Sequence, residues 1–86
     1  MFVSEVSNLK SLVGQTVRST MTFAGIPAGT MGTVDEVYSI GKEHQGIMIL
    51  WDIPQNQNLG KYGKPLRDGF GRDSKFDETC WLELID

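Results

Sequence analysis

The sequence predicts an all-β fold: a single small barrel of about five strongly bent antiparallel strands, with a long excursion before the last strand. Three observations carry this reading. Residues 24–34 form a glycine-punctuated turn (Gly25, Pro27, Gly29, Gly32) that runs straight into Val34. Before it, from Thr16 to Phe23, polar and apolar residues alternate. After it comes the apolar run Ile47 to Trp51.

Each element follows from local chemistry. Phe2, Val3 and Val6 belong to an arm or edge strand over residues 1–8. Leu9 to Val13, stopped by Gly14, reads as one apolar helical or 3-10 turn, because glycine ends a helical turn at no steric cost. Gln15 to Phe23 is the first strand: Val17, Met21 and Phe23 alternate with Thr16, Arg18, Thr20 and Thr22, and period two marks a strand with one wet face. Ser19 is the small residue on its apolar face. Pro27 presets its own φ and extends Ile26, so residues 26–29 fit a type I turn. One of Gly29 and Gly32 is expected to take a backbone angle that other residues avoid.

Met31 to Ile40 is the second strand. The Asp35-Glu36 pair breaks its phase, which predicts a bulge. Residues 41–46 form a polar hairpin loop, and Gly46 to Asp52 forms the most buried strand. Residues 53–78 show no strong period and read as a long, partly ordered loop, with a mobile tip at 55–64. Leu66, Phe70 and Phe76 are its expected anchors. Thr79 to Ile85 closes the chain as a strand, with Cys80, Leu82 and Leu84 on one face and Trp81 on the other.

A chain of 86 residues fits one domain, 1–86. So short a chain buries a thin core of about a dozen side chains. With 40% hydrophobic and 22% charged residues, the composition is that of a globular chain rather than a disordered one. The single cysteine excludes an intramolecular disulfide. The N-terminus lacks the basic and apolar regions of a secretion signal, and no apolar stretch has the length to span a bilayer, so the expected location is cytoplasmic with no membrane partner.

The order of elements resembles a Src-homology-3-like small barrel, nearest to bacterial forms that include the KOW-type translation domains. Their turn, Gly-x-Pro-x-Gly-x-x-Gly-x-Val, is matched by Gly25, Pro27, Gly29, Gly32 and Val34. The resemblance extends to Ile49-Leu50-Trp51-Asp52 and Trp81-Leu82-Glu83-Leu84, and spans roughly residues 9–86. It implies either nucleic-acid binding, as in ribosomal and elongation proteins, or a role as an accessory subunit of a larger enzyme. It also implies that excursion loops and adjacent aromatics form the contact surface. The chain differs from the nucleic-acid-binding members in its net charge of −3 and in its polar 55–64 insertion.

Catalytic patterns are weak. His44 is the only histidine and Cys80 the only cysteine, too few for a zinc site. Cys80 on an inward strand face is a packed thiol, not a nucleophile. The carboxylate pairs Asp35-Glu36 and Asp77-Glu78 are strand neighbours that point apart. No Lys-Ser/Thr pair follows the glycines, which excludes a phosphate-cradling P-loop. Lys61, Lys64, Arg67, Arg72 and Lys75 interleave with Tyr62, Phe70 and Phe76, as in nucleic-acid binders. Four acids sit among these five cations, so residues 60–78 net only +1.

The expected function is therefore a non-enzymatic protein-interaction or accessory module without cofactor or metal. Another protein is the expected partner, and a KOW-type RNA- or DNA-binding barrel is the alternative. Tyr38, Tyr62, Arg67, Phe70, Arg72 and Trp81 are the candidate contact residues; Gly25, Pro27, Gly29 and Gly32 are the structural turn.

Overall fold

The computed structural model describes residues 1–23, 25–40, 44–57, 63, 65–73 and 76–85. The strands are β1 (Thr16–Ser19), β2 (Met31–Ile40), β3 (His44–Trp51), β4 (Arg67–Arg72) and β5 (Leu82–Ile85). They form one antiparallel sheet in the order β4-β3-β2-β1-β5, so the all-β class is as the sequence predicts. A short helix, α1 (Pro54–Gln57), and 3-10 turns at Val3–Glu5, Leu9–Leu12 and Glu78–Trp81 join them.

Strand β2 is the long central member. Its first residues pair with β1, and from Gly32 to Ile40 it pairs with β3. The register slips between Val34 and Glu36, where the expected bulge lies. An extra residue there bends the strand and raises its twist. The sheet wraps Val17, Val34, Ile47, Ile49, Trp51, Phe70 and Leu82 around one core, and Val3, Leu9, Leu12 and Ile26 cap it. Each such side chain stabilises the fold by about 1.5–3 kcal/mol when fully buried. In β3 only Ile47, Ile49 and Trp51 of the apolar run are buried; Met48 and Leu50 face the other way and are half-buried.

The two sheet edges are treated differently. Beside β5, Phe2 bridges Glu83 and the Leu84 N–H donates to the Met1 carbonyl at 2.7 Å. Beside β4, Arg72 bridges Asp77. Among the described residues no ladder joins β4 to β5, so the sheet is bent but not closed.

Four expectations need correction. The first strand stops at Ser19 rather than Phe23, because the buried Ser19 hydroxyl donates to the Met21 carbonyl and turns the chain. Phe23 instead exchanges two backbone hydrogen bonds with Ile26, at 3.0 and 2.7 Å, around Gly25 at φ +82°. The next turn closes one residue later than expected: the Thr30 N–H reaches the Pro27 carbonyl at 3.2 Å, with Gly29 at φ +90°. A positive φ at the third position is a type II feature. Strand β4 lies inside the stretch read as a loop, since Gly69 and Gly71 interrupt its apolar period.

The closing strand is shorter than its sequence pattern predicts. Asp77 caps a 3-10 turn over Glu78–Trp81, its carboxylate accepting from the Thr79 N–H at 2.9 Å, and β5 begins only at Leu82. This rotation leaves Cys80 exposed, not inward.

Candidate protein-interaction surface

The residues singled out from sequence divide by environment. Tyr38 pairs with Gly46 across β2 and β3 and is half-buried. Its ring fills the space a Gly46 side chain would take, and its hydroxyl lies near Gly69. It is a packing residue over glycine, the arrangement that offsets glycine's weakness in a strand. Arg67 reaches Asp35 at 2.6 Å, both about 38% exposed in their side chains. Phe70, at 3% exposure, belongs to the core and does not offer its ring to a partner.

Arg72 turns inward. Its guanidinium donates to the carbonyls of Val6 at 2.7 Å and Val3 at 2.9 Å, and its Nε lies 3.3 Å from Asp77. It ties the N-terminal turn to β4 and the closing turn. Tyr62, with Lys61, Lys64 and Lys75, lies outside the described residues. Of the basic cluster, the described arginines are both committed to internal partners.

Trp81, the last residue of the 3-10 turn, is half-buried. Its ring meets Phe76 edge-on at 5.6 Å and Phe23 at 6.5 Å. Phe23 in turn contacts Phe70 at 5.3 Å and Trp51 at 5.8 Å. A file of aromatic rings thus runs from the core to the surface and ends at Phe76, which is 55% exposed. The backbone of Phe76 is fixed, its N–H donating to the Asp73 carboxylate at 2.7 Å and its carbonyl accepting from the Asp73 N–H at 3.1 Å. Phe76 and Leu66, expected as anchors, are exposed instead, Leu66 at 40%. Phe76 stands between charged Lys75 and Asp77, a polar setting that was the available signal.

A groove lies between the glycine turn and the segment after β3, with a cavity of about 690 Å³. Gly25, Pro27, Gly29 and Met31 form one wall; Asp52, Ile53, Pro54 and Leu66 form the other. Gly32 is not at positive φ; it sits against Ile49 and Trp51, where a side chain would not fit. Asn56 holds the second wall. Its amide donates to the carbonyls of Trp51 at 2.7 Å and Leu66 at 3.1 Å, and its oxygen accepts from the Leu66 N–H at 2.7 Å. The Asp52 N–H donates to the Met31 carbonyl at 2.9 Å and joins the walls. Asn56 was missed because nothing local marks it; its partners are up to ten residues away.

Among the described residues no three His, Cys, Asp or Glu side chains converge to hold a metal. His44 opens β3 rather than lying in a loop, with its Nδ1 4.0 Å from the Asp73 carboxylate. No helix among the described residues is long and apolar enough to cross a membrane. No protein-family model, curated protein or solved structure matches the chain.

Proposed function

We propose that this chain is a non-enzymatic protein-interaction or accessory module built on a small Src-homology-3-like barrel. The observation that carries the reading is the aromatic file ending at Phe76. Tryptophan and other aromatics dominate interface energetics when they are rigid and partly desolvated. Phe76 and Trp81 meet that description: one is exposed, the other braces it, and Phe23 connects both to the core. The strand order β4-β3-β2-β1-β5, with a 3-10 turn before the last strand, supports the barrel type. The ion pairs of Arg67 and Arg72 with Asp35 and Asp77, in a chain of net charge −3, weigh against a phosphate-binding surface.

The test is affinity capture of the tagged protein from its own cell lysate, with and without nuclease, beside a Phe76→Ser variant. A stoichiometric protein partner that survives nuclease and is lost with Phe76→Ser is the expected result. Equal capture by the variant would remove the aromatic file from the interface. Material that disappears with nuclease would move the reading to nucleic acid.

A further inference from the structure

We propose that the groove between the glycine turn and α1 takes an extended segment of another protein in which a lysine or arginine neighbours a bulky apolar side chain. This rests on the interaction-module reading and names the chemistry of a partner segment.

The groove's lining combines apolar surface, one charge and the uncharged polar side chains of Thr30 and Gln55. Pro27, Met31, Ile53, Pro54 and Leu66 supply the apolar surface, and Asp52 is the charged group. Asp52 is exposed, and among the described residues its carboxylate accepts one hydrogen bond, from the Gln57 side chain at 3.3 Å. The other described aspartates of the sheet are engaged: Asp35 by Arg67, Asp77 by Arg72, and Asp68 by the Trp51 indole N–H at 2.7 Å. Among the described residues no lysine or arginine pairs with Asp52. The net charge of −3 favours approach of a basic segment.

The shape suits an extended chain rather than a single side chain. Past Met31 and Asp52 a second cavity of about 440 Å³ continues over Thr16, Thr33 and the half-buried Leu50 on the outer sheet face. Both walls are already fixed. Thr30 bonds the Pro27 carbonyl through its hydroxyl at 2.7 Å, the Gly29 N–H reaches the Ser19 carbonyl at 2.7 Å, and Asn56 clamps Leu66. A groove ordered before binding loses less entropy when a segment docks.

The test is selection of random heptapeptides displayed on phage against the full chain, followed by affinity measurement with the selected peptides. The variants are Asp52→Asn, Leu66→Ser and Phe76→Ser, each first checked for an unchanged melting profile. The expected peptides carry Lys or Arg beside a bulky apolar residue. Their affinity falls roughly two- to fivefold with Asp52→Asn, the range of an exposed ion pair, and falls as salt rises. Leu66→Ser weakens them independently of salt. Selected peptides without a basic residue, or insensitive to both Asp52→Asn and Leu66→Ser, would overturn the proposal. If such peptides are lost with Phe76→Ser instead, the groove assignment falls while the interaction-module reading stands. A library that yields no binder also overturns the groove, and the lysate capture then judges the general reading by itself.

Discussion

Gly29 and Gly32 sit three residues apart in one turn motif, yet they are glycine for different reasons, and substitution separates them. At Gly32 an added Cβ would lie 2.7 Å from Ile49 Cγ2, 2.9 Å from Trp51 Cε3 and 3.1 Å from the Leu50 carbonyl. Carbon pairs rest at about 3.5–4.0 Å. Ile49 is fully buried and Trp51 is 1% exposed, so neither can swing into solvent. Overpacking of this kind costs about 1–3 kcal/mol. For a domain of this size that lowers Tm by roughly 4–24 °C, at about 4–8 °C per kcal/mol. At Gly29 nothing lies within 4 Å of an added Cβ, and the cost is the backbone angle, φ +90°. A left-handed residue costs about 1–2 kcal/mol unless it is glycine, with asparagine the best tolerated alternative. Urea unfolding followed by tryptophan fluorescence reads both sites. The expected order at position 29 is Gly, then Asn, then Val; at position 32 Ala already destabilises and Asn is worse. A neutral Gly32→Ala, or a Gly29→Asn as costly as Gly29→Val, would refute the division.

Other substitutions test the interior ties. Arg72→Met leaves the Val3 and Val6 carbonyls and the Asp77 carboxylate without their cation, and is expected to cost about 2–4 kcal/mol in urea unfolding; a loss under about 0.5 kcal/mol would make the tie incidental. Asn56→Ala removes three hydrogen bonds to Trp51 and Leu66, with an expected cost of about 1–3 kcal/mol and weaker binding of groove-selected peptides. Gly46→Ala expels the Tyr38 ring, so Tyr38→Ala should cost less in that background than in the parent, read as a non-zero coupling in a double-mutant cycle. Phe76→Ser, at a 55% exposed ring, is expected to shift stability by no more than about 1 kcal/mol while abolishing partner capture.

The sequence by itself determined the features that depend on neighbours in the chain. The limits of β2 at Met31 and Ile40, its bulge beside Asp35 and the 3-10 turn ending before Gly14 are all local. They follow from period-two side-chain alternation and from glycine's backbone freedom, which a few adjacent residues express. Tertiary structure alone decided the rest. β4 reads as loop because its glycines matter only through what lies across them, Met48 and Tyr38 over Gly69, His44 and Glu78 over Gly71. The outward turn of Cys80 was half legible, since Asp77 is a capping residue that precedes it; the competing period-two pattern through Leu84 concealed it. The inward turn of Arg72 was not legible, because its carbonyl acceptors Val3 and Val6 stand 69 and 66 residues away. The groove under Pro27 likewise arises where segments distant in sequence meet. Alternation and turn chemistry are written residue by residue, whereas burial and partnership are set by which distant backbone groups the folded sheet brings within hydrogen-bond reach.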